Sequence, residues 1–360
     1  MDGNRNLLSE DEFPASRSVV KKVETAGEPV IMTENIDQAF ALQQSILAMN
    51  LRAVACLPLK WITDESDSTE EVRGILYLDS RKTMHALTGL DQKILNKLAV
   101  EAANVFEKLE LIEAFEQRKA IEQELALARE TQKALLPSQL PEIEGYRVAA
   151  FSNPTRQVGG DFYDFLSIDS GSVTAVLADV SGKGVSAALL GSLVQGALQM
   201  ECRGGGPLDE SLQAVNTYLC EKSQSNRFVT LFLFRSDADG RGEFLSAGHN
   251  PAYLYRAATG EIEELSAQGL VLGAFDFARY TSTPLELNHG DLILIYSDGI
   301  TDAENPQGEM FGEARLIALI REYASLGCAE LERRILEAVE EFTQGQVQTD
   351  DMTCVLVQRV

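Results

Sequence analysis

Four acidic motifs lie at the ends of predicted strands in the part of the chain that follows residue 145. They are VGGDFYDF around Asp161, LADVSGKG around Asp179, YSDGITDAEN around Asp298 and TDDMTCVLV around Asp350. Carboxylates gathered at strand ends can hold several cations, and ligation by oxygen alone favours Mg²⁺ or Mn²⁺ over zinc. A single acidic strand end would mean little. Four in one domain, three of them near glycine, predict a multi-metal site.

Asp179 shows how such a motif could work. The apolar segment TAVLADV predicts a buried strand that ends at this aspartate, and SGKG and a helix of small residues follow. Gly182 and Gly184 permit tight turns close to a ligand. Such a turn can present the Asp179 carboxylate and the Val180 carbonyl to one cation. A strand-to-helix turn with aspartate as a local cap explains this motif equally well when it is taken alone.

Other acidic residues lie close to these motifs. The predicted strand DLILIYSD leads into a loop in which Asp302 and Glu304 follow Asp298. Asp164 comes three residues after Asp161, and Asp351 comes directly after Asp350. They are further candidates for the same site.

The ordered motifs GGDFYD, ADVSGKG, AGHNP, SDGITDAEN and DDMT resemble those of the PPM-type metal-dependent serine/threonine phosphatases. The resemblance is closer to the bacterial branch typified by stage II sporulation protein E and by stress-response phosphatases that act on anti-anti-sigma factors. It covers roughly residues 135–360. It implies an α+β fold in which two antiparallel sheets form a sandwich with helices outside, the αββα arrangement.

The resemblance also implies a ligand set for two Mn²⁺ or Mg²⁺ ions, with Asp179 bridging them. Asp179, Asp161 and Asp298 would be the catalytic carboxylates. Asp351 stands where relatives often have asparagine, so it ranks below Asp350. The complete implied set is Asp161, Asp179, the Val180 carbonyl, Asp298, Asp350 and Asp351.

Phosphomonoester hydrolysis suits such a centre, because two cations lower the pKa of a water and neutralise the phosphate. Arg156 is a candidate to bind the phosphate, and an ordinary surface arginine is an equally good reading. Eukaryotic relatives place a histidine soon after the bridging aspartate, whereas this chain has Ser181 and Lys183 there. Water or Lys183 is then left as the leaving-group acid. His249 in AGHNP is interpreted as a structural residue.

The segment 1–97 is predicted to be a partial GAF-like α/β sensory domain. The strings ILAMNLRAVACLPL, RGILYLDSR and LTGLDQKILNK resemble the latter part of a GAF domain, and SRSVVKKVETAGEPVI fits its middle helix. No leading helix and first strand are recognisable before it. Either the chain begins inside the domain or the domain is reduced.

The segment 98–137 is predicted to be a helical, coiled-coil-like linker. Residues 90–136 contain almost no glycine or proline, and Pro137 and Pro141 follow. Apolar residues recur at alternating spacings of four and three, which favours a homodimeric coiled coil over a helix packed on its own domain. The seam consists of Leu98, Ala102, Val105, Leu109, Ile112, Ile121, Leu125, Ala128 and Leu135, with Gln132 also in it.

The segment 138–360 is predicted to be the catalytic domain, with antiparallel sheets flanked by helices. Predicted strands are Tyr146–Ser152, Val173–Val180, Phe228–Phe234, Glu243–Ala247, Pro251–Tyr255, Asp291–Tyr296 and Met352–Gln358. Predicted helices are Ser186–Met200, Leu208–Glu221, Glu313–Glu322 and Ala329–Phe342.

Composition excludes several other classes of protein. The net charge of −24 argues against nucleic-acid and anionic membrane surfaces. The five cysteines are odd in number and have no CxxC spacing, which indicates reduced thiols in the cytoplasm. The three histidines are far apart, so a histidine-based zinc site is not expected. No apolar run is long enough to span a membrane, and the polar start does not resemble a secretory signal.

These observations together predict a cytoplasmic, GAF-regulated, dimeric phosphatase that acts on a phosphorylated anti-anti-sigma-type (STAS) protein. A catalytically silent phosphatase fold that serves as a scaffold is the alternative, and the retention of all expected ligands argues against it. A nucleotide cyclase is a weaker alternative. VGGDFYDF only partly matches a GGDEF signature, and the SDG and DDMT motifs have no role in a cyclase.

Overall fold

The fold is described from a computed structural model. It covers residues 15–32, 53–61, 71–80, 89–167, 172–203, 205–222 and 227–360. The chain divides into two compact units, Met1–Ile121 and Glu122–Val360. No helix among the described residues is both long and apolar enough to cross a membrane.

The first unit contains a three-stranded antiparallel sheet. Helix α1 (Arg17–Ala26) precedes strands β1 (Val30–Met32), β2 (Ala53–Trp61) and β3 (Glu71–Ser80), which lie in that order. Val19 and Val23 of α1 are buried against the sheet, as expected for an amphipathic helix. Helix α1 agrees with the helix predicted for the segment SRSVVKKVETAGEPVI, while residues 1–14, 33–52, 62–70 and 81–88 of the GAF-like segment lie outside the described residues. Assignment to the GAF family stays a prediction.

Helix α2 (Gly89–Leu135) is the long helix that the absence of breakers predicts. Ala99 and Ala103 on its first half pack against Leu57 and Leu59 of β2. Six of the predicted seam residues are about half exposed, namely Leu98, Val105, Leu109, Ile112, Ile121 and Leu135. One side of the helix therefore packs within its own unit, and another presents an apolar row.

The second unit is a sandwich of two five-stranded antiparallel sheets. One sheet has the order β11-β8-β7-β6-β5 and the other has the order β10-β9-β12-β13-β4. The strands are β4 (Tyr146–Asn153), β5 (Phe162–Ser167), β6 (Val173–Val180), β7 (Val229–Ser236), β8 (Arg241–Ala247), β9 (Ala252–Tyr255), β10 (Ile262–Leu265), β11 (Thr283–Glu286), β12 (Leu292–Tyr296) and β13 (Met352–Arg359).

Two pairs of helices cover the outer faces of the sandwich. Helices α3 (Val185–Cys202) and α4 (Leu208–Lys222) pack on the sheet that contains β6 and β7. Helices α5 (Gly312–Tyr323) and α6 (Cys328–Thr343) pack on the sheet that contains β12 and β13. A separate apolar core lies between the two sheets and includes Leu177, Phe232 and Val355. The order of helices, sheet, sheet and helices confirms the predicted α+β sandwich.

Three strands of the second unit were not predicted, and all three lie at sheet edges. Strands β10 and β11 have four residues each and expose most of their side chains, so they carry little hydrophobic periodicity. Pro284 in β11 is tolerated because an edge strand leaves some backbone N–H groups unpaired. Strand β5 follows Asp161 directly and falls inside what the sequence showed only as an acidic motif.

Candidate metal centre

The four acidic motifs lie at one end of the sandwich. Asp161 directly precedes β5, and Asp179 lies near the end of β6, where Phe162 pairs with Ala178. In the other sheet, Asp298 begins a short 3₁₀ turn after β12, and Asp350 and Asp351 precede β13. Tyr296 pairs with Cys354, so these two strand ends are also adjacent.

The carboxylates are close enough to interact electrostatically. Burial, together with the charges of Asp298 and Asp350, raises the pKa of Asp179 to about 6. Burial and the charge of Asp179 raise the pKa of Asp161, and burial followed by Asp302 and Asp350 raises that of Asp298. Each shift reflects partly desolvated anions that disfavour one another's ionisation. A bound cation would remove this penalty.

Two further observations fit a cation in this cluster. The Oδ2 atom of Asp161 is buried and has no hydrogen-bond partner among the described residues. A Cβ atom on Gly160 would lie 2.8 Å from the Val180 carbonyl oxygen, so only glycine lets the loop approach this proposed ligand so closely. Oxygen donors of this kind suit Mg²⁺ or Mn²⁺.

The cluster suits a divalent cation because it offers oxygen donors and because its carboxylates lie near one another. Among the residues that the structure describes, no group of three or more histidine, cysteine, aspartate or glutamate side chains is already arranged to hold an ion. Asp179 interacts electrostatically with both Asp161 and Asp298, so these are the carboxylates that would enclose a cation.

Asp350 and Asp351 have different partners. The Asp350 carboxylate pairs with the Lys183 ammonium over 3.1 Å, and Lys183 also donates to the Thr349 carbonyl. The Asp351 carboxylate accepts hydrogen bonds from the backbone N–H groups of Thr155 and Gly160, each over 2.7 Å. Asp351 therefore organises the loop that carries Asp161, a role that the motif alone did not reveal.

Two guanidinium groups border the SGKG loop after Asp179. Gly182 and Gly184 have φ values of 94° and 82°, which favour glycine. A Cβ on Gly184 would lie 4.0 Å from an Arg156 nitrogen, and one on Gly182 would lie 3.1 Å from Nη1 of Arg227. No motif in the sequence points to Arg227, which lies just before the apolar strand β7.

His249 has the structural role that the AGHNP motif predicts. Its Nε2 donates to the Tyr296 carbonyl over 3.0 Å, and its Nδ1 accepts from the Thr230 hydroxyl over 2.9 Å. Burial lowers the pKa of His249 to about 4, so the ring is neutral and both nitrogens are occupied. Asn250 donates to the same carbonyl, and the AGHNP motif thus fixes the end of β12 near Asp298.

Asp164 lies outside the carboxylate cluster. Its side chain accepts hydrogen bonds from Gln195 and Gln199 of α3. Asp302 is exposed, although its charge contributes to the raised pKa of Asp298, and Glu304 is also exposed.

Comparison with known proteins places this arrangement in a family. Residues 169–360, more than half of the chain, match the family described as stage II sporulation protein E (SpoIIE). The chain belongs to the SpoIIE family. The SpoIIE match contains Asp179, Asp298, Asp350 and Asp351, whereas Arg156 and Asp161 precede it.

The relatives of this SpoIIE-family chain include two Bacillus subtilis proteins. It is 29% identical to the phosphoserine phosphatase RsbU over 240 residues, which cover 66% of this chain and 71% of RsbU. It is 24% identical to the phosphoserine phosphatase RsbP over 239 residues, which cover 65% of this chain and 57% of RsbP. The chain thus spans less than two thirds of RsbP.

Solved structures agree with the fold. The SiaA-PP2C domain of Pseudomonas aeruginosa superposes with a TM-score of 0.59 at 23% identity, covering 68% of this chain and 98% of that domain. The RsbU and RsbW domains of Rv1364c from Mycobacterium tuberculosis give a TM-score of 0.53 at 27% identity, covering 62% and 63%. SpoIIE membership and the phosphoserine phosphatases among the relatives confirm the predicted enzyme class, a protein phosphatase, and with it the predicted Mn²⁺ or Mg²⁺ dependence typical of PPM enzymes.

Proposed function

We propose that this chain hydrolyses phosphoserine or phosphothreonine in a protein substrate by means of two Mn²⁺ or Mg²⁺ ions. The carboxylates of Asp161, Asp179, Asp298 and Asp350 and the Val180 carbonyl would hold the ions, with Asp179 between them. When bound, two such ions supply a water of lowered pKa and neutralise phosphate charge. The single observation that carries the proposal is the buried, unpartnered Asp161 oxygen amid carboxylates at one end of the sandwich.

The residues of the chain also provide for the phosphate itself. Arg156 borders the SGKG loop and Lys183 belongs to it, so both offer positive charge next to the carboxylate cluster. A guanidinium group can bind two phosphate oxygens at once, which fixes the orientation of the phosphorus atom. Ser181 accepts a hydrogen bond from the Phe228 N–H, so it holds the loop. Lys183 or solvent is left to protonate the leaving serine or threonine oxygen.

The substrate that best fits the proposal is a phosphorylated anti-anti-sigma-type (STAS) protein in the cytoplasm. Support comes from the likeness to RsbU and RsbP, whose names give phosphoserine as the group on which they act. We further propose that residues 1–97 are a partial GAF-like regulatory domain. The exposed apolar row on α2 would join two copies into a homodimer, and a shift of this helix would carry the signal.

A phosphate-release assay tests this function. Wild-type protein, Asp298→Asn and the control Asp239→Asn, an exposed hairpin residue, would be incubated with a phosphoserine peptide and with p-nitrophenyl phosphate. Each reaction would run with Mn²⁺ and with EDTA. We expect metal-dependent release from wild type and the control, and a loss of at least 100-fold in Asp298→Asn because a metal ligand is removed.

Each outcome has a distinct meaning. Release that persists in EDTA would contradict the two-metal mechanism. A folded protein that binds neither Mn²⁺ nor substrate would support the catalytically silent scaffold. Mn²⁺ binding without turnover would require the assay to be repeated with a phosphorylated STAS protein, and failure there would refute the proposed substrate.

A further inference from the structure

We propose that Gln132 of α2 is a positioning residue for the metal centre, because it holds the loop that carries Asp161. The inference rests on the proposed function, which assigns Asp161 as a metal ligand. Gln132 falls in the predicted coiled-coil seam. Its side chain nevertheless bonds to the loop before Asp161, which lies in the same compact unit. Its Nε2 donates to the Gly159 carbonyl over 2.7 Å, and its Oε1 accepts from the Gly159 N–H over 3.2 Å.

The two hydrogen bonds engage both polar backbone groups of one residue, so they fix the orientation of that backbone. Gly160 is fixed from another direction, since its N–H donates to the Asp351 carboxylate. There is little free space around the loop. A Cβ atom on Gly159 would lie 2.5 Å from Asp351 Oδ2, and one on Gly160 would lie 2.8 Å from the Val180 carbonyl oxygen. The two residues before Asp161 are thus held between the helix and the start of β13.

The end of α2 has a separate attachment that does not depend on Gln132. The Leu135 carbonyl, one of the unpaired groups at the end of the helix, accepts a hydrogen bond from Gln195 over 2.8 Å. The Gln195 amide also donates to Asp164, three residues beyond Asp161. Removing the Gln132 amide should therefore free the Gly159 backbone while the helix end stays bonded to α3.

The seam interpretation of Gln132 makes a different prediction. A polar residue in a coiled-coil seam sets register and oligomeric state, so its substitution would change self-association. A residue that orients a ligand-bearing loop would change metal affinity instead, since second-shell substitutions typically cost about 10- to 100-fold in affinity. Metal affinity and molecular mass therefore separate the two roles.

The test compares full-length wild type, Gln132→Ala, Gln132→Glu and the control Thr131→Ala. Thr131 is the neighbouring residue, and its hydroxyl donates a hydrogen bond within the helix, to the Leu127 carbonyl. Mn²⁺ would be titrated by isothermal calorimetry, and mass would be measured by sedimentation. We expect Gln132→Ala to bind Mn²⁺ at least about 10-fold more weakly, with unchanged mass. Thr131→Ala should match wild type.

Hydrogen exchange of the metal-free proteins gives an independent measurement. Peptides covering residues 155–165 should exchange faster in Gln132→Ala than in Thr131→Ala. Gln132→Glu keeps an acceptor for the Gly159 N–H but sets a carboxylate against the Gly159 carbonyl. It should therefore weaken Mn²⁺ binding and leave more of the exchange protection in place than Gln132→Ala does.

The outcomes decide both proposals separately. Unchanged Mn²⁺ affinity in Gln132→Ala would overturn the positioning role, whatever the exchange rates. Altered mass with unchanged affinity would assign Gln132 to the seam. If wild type itself bound no Mn²⁺, the proposed function would fail. Hydrogen exchange alone would then show whether Gln132 holds the loop. Equal exchange rates in Gln132→Ala and Thr131→Ala would overturn that role.

Discussion

The carboxylate of Asp351 accepts a hydrogen bond over 2.7 Å from the backbone N–H of Gly160, next to Asp161. Its other oxygen accepts from the N–H and the hydroxyl of Thr155. The start of the last strand is therefore bonded to the loop before β5, in the opposite sheet. Asp351 joins two acidic motifs that are far apart in the sequence.

Asp351→Asn should destabilise the fold more than Asp350→Asn. An asparagine side chain has one acceptor oxygen instead of two. Either the Thr155 groups or the Gly160 N–H would therefore lose a charged hydrogen-bond partner, at a cost of about 1.5–3 kcal/mol. Asp350 pairs with a partly exposed lysine, a kind of interaction worth under about 1 kcal/mol. Thermal unfolding in EDTA would compare the two variants. A larger loss of stability in Asp350→Asn would contradict this assignment.

Asp179→Asn should stabilise the metal-free protein at neutral pH while abolishing turnover. The folded-state pKa of Asp179, about 6, lies above its usual value of 3.8, so ionisation penalises the folded state as pH rises between these values. Asparagine removes the penalty, on the order of 3 kcal/mol at pH 7.5. Unfolding in EDTA should show a gain at pH 7.5 that disappears near pH 4. A less stable variant at pH 7.5 would contradict the prediction.

Addition of Mn²⁺ should raise the melting temperature of wild type and not that of Asp179→Asn. A ligand that binds only the folded state stabilises it by mass action. The rise should be smaller at pH 5 than at pH 7.5, because protonated carboxylates bind cations weakly. Thermal scans with and without Mn²⁺ would measure it. Equal shifts in wild type and in Asp179→Asn would place the bound ion elsewhere.

His249→Gln should change how stability depends on pH. The folded-state pKa of His249, about 4, lies below its usual value of 6.5. As pH falls through this interval the unfolded chain binds a proton that the folded chain does not, so wild type loses about 1.4 kcal/mol per pH unit from this group. The advantage of wild type over His249→Gln in denaturant unfolding should therefore shrink from pH 6.5 to pH 4. A constant difference would show that His249 is not buried in its neutral form.

Lys183→Met should weaken substrate binding without weakening Mn²⁺ binding. The Lys183 ammonium is paired with Asp350 over 3.1 Å, so its removal frees a proposed metal ligand from a competing cation. Loss of the positive charge should raise KM for a phosphoserine peptide about tenfold, in keeping with a charged hydrogen bond of about 1.5 kcal/mol. Steady-state kinetics and calorimetry would measure the two quantities. A lower Mn²⁺ affinity would give Lys183 a different role.

Joint replacement of Leu98, Leu109 and Leu125 by alanine should weaken self-association. Leu98 and Leu109 are about half exposed on α2, so their burial in a dimer would stabilise it. The control replaces Leu111 and Leu127, which are more exposed and lie outside the seam. Sedimentation should show a lower mass only for the seam variant. Equal masses for both variants would contradict the coiled-coil proposal.

Sequence alone predicted most of the second unit because its central strands and helices have strong periodicity. Of the strands it missed, β10 and β11 are short and largely exposed, so they carry little periodicity, whereas β5 is buried and falls inside an acidic motif. The acidic motifs identified the cluster because an aspartate directly after an apolar strand segment can be recognised in the sequence itself. The roles of Gln132, Arg227 and Asp351 could not be predicted, since each depends on contact with backbone or loops distant in sequence.

The most direct test of the two-metal centre is a crystal structure of the protein grown with Mn²⁺, with anomalous diffraction measured on both sides of the manganese absorption edge. We predict two anomalous peaks about 3.5–4 Å apart among Asp161, Asp179, Asp298 and Asp350, with Asp179 touching both. Peaks that are absent from this cluster, or that lie away from the buried oxygen of Asp161, would contradict the account.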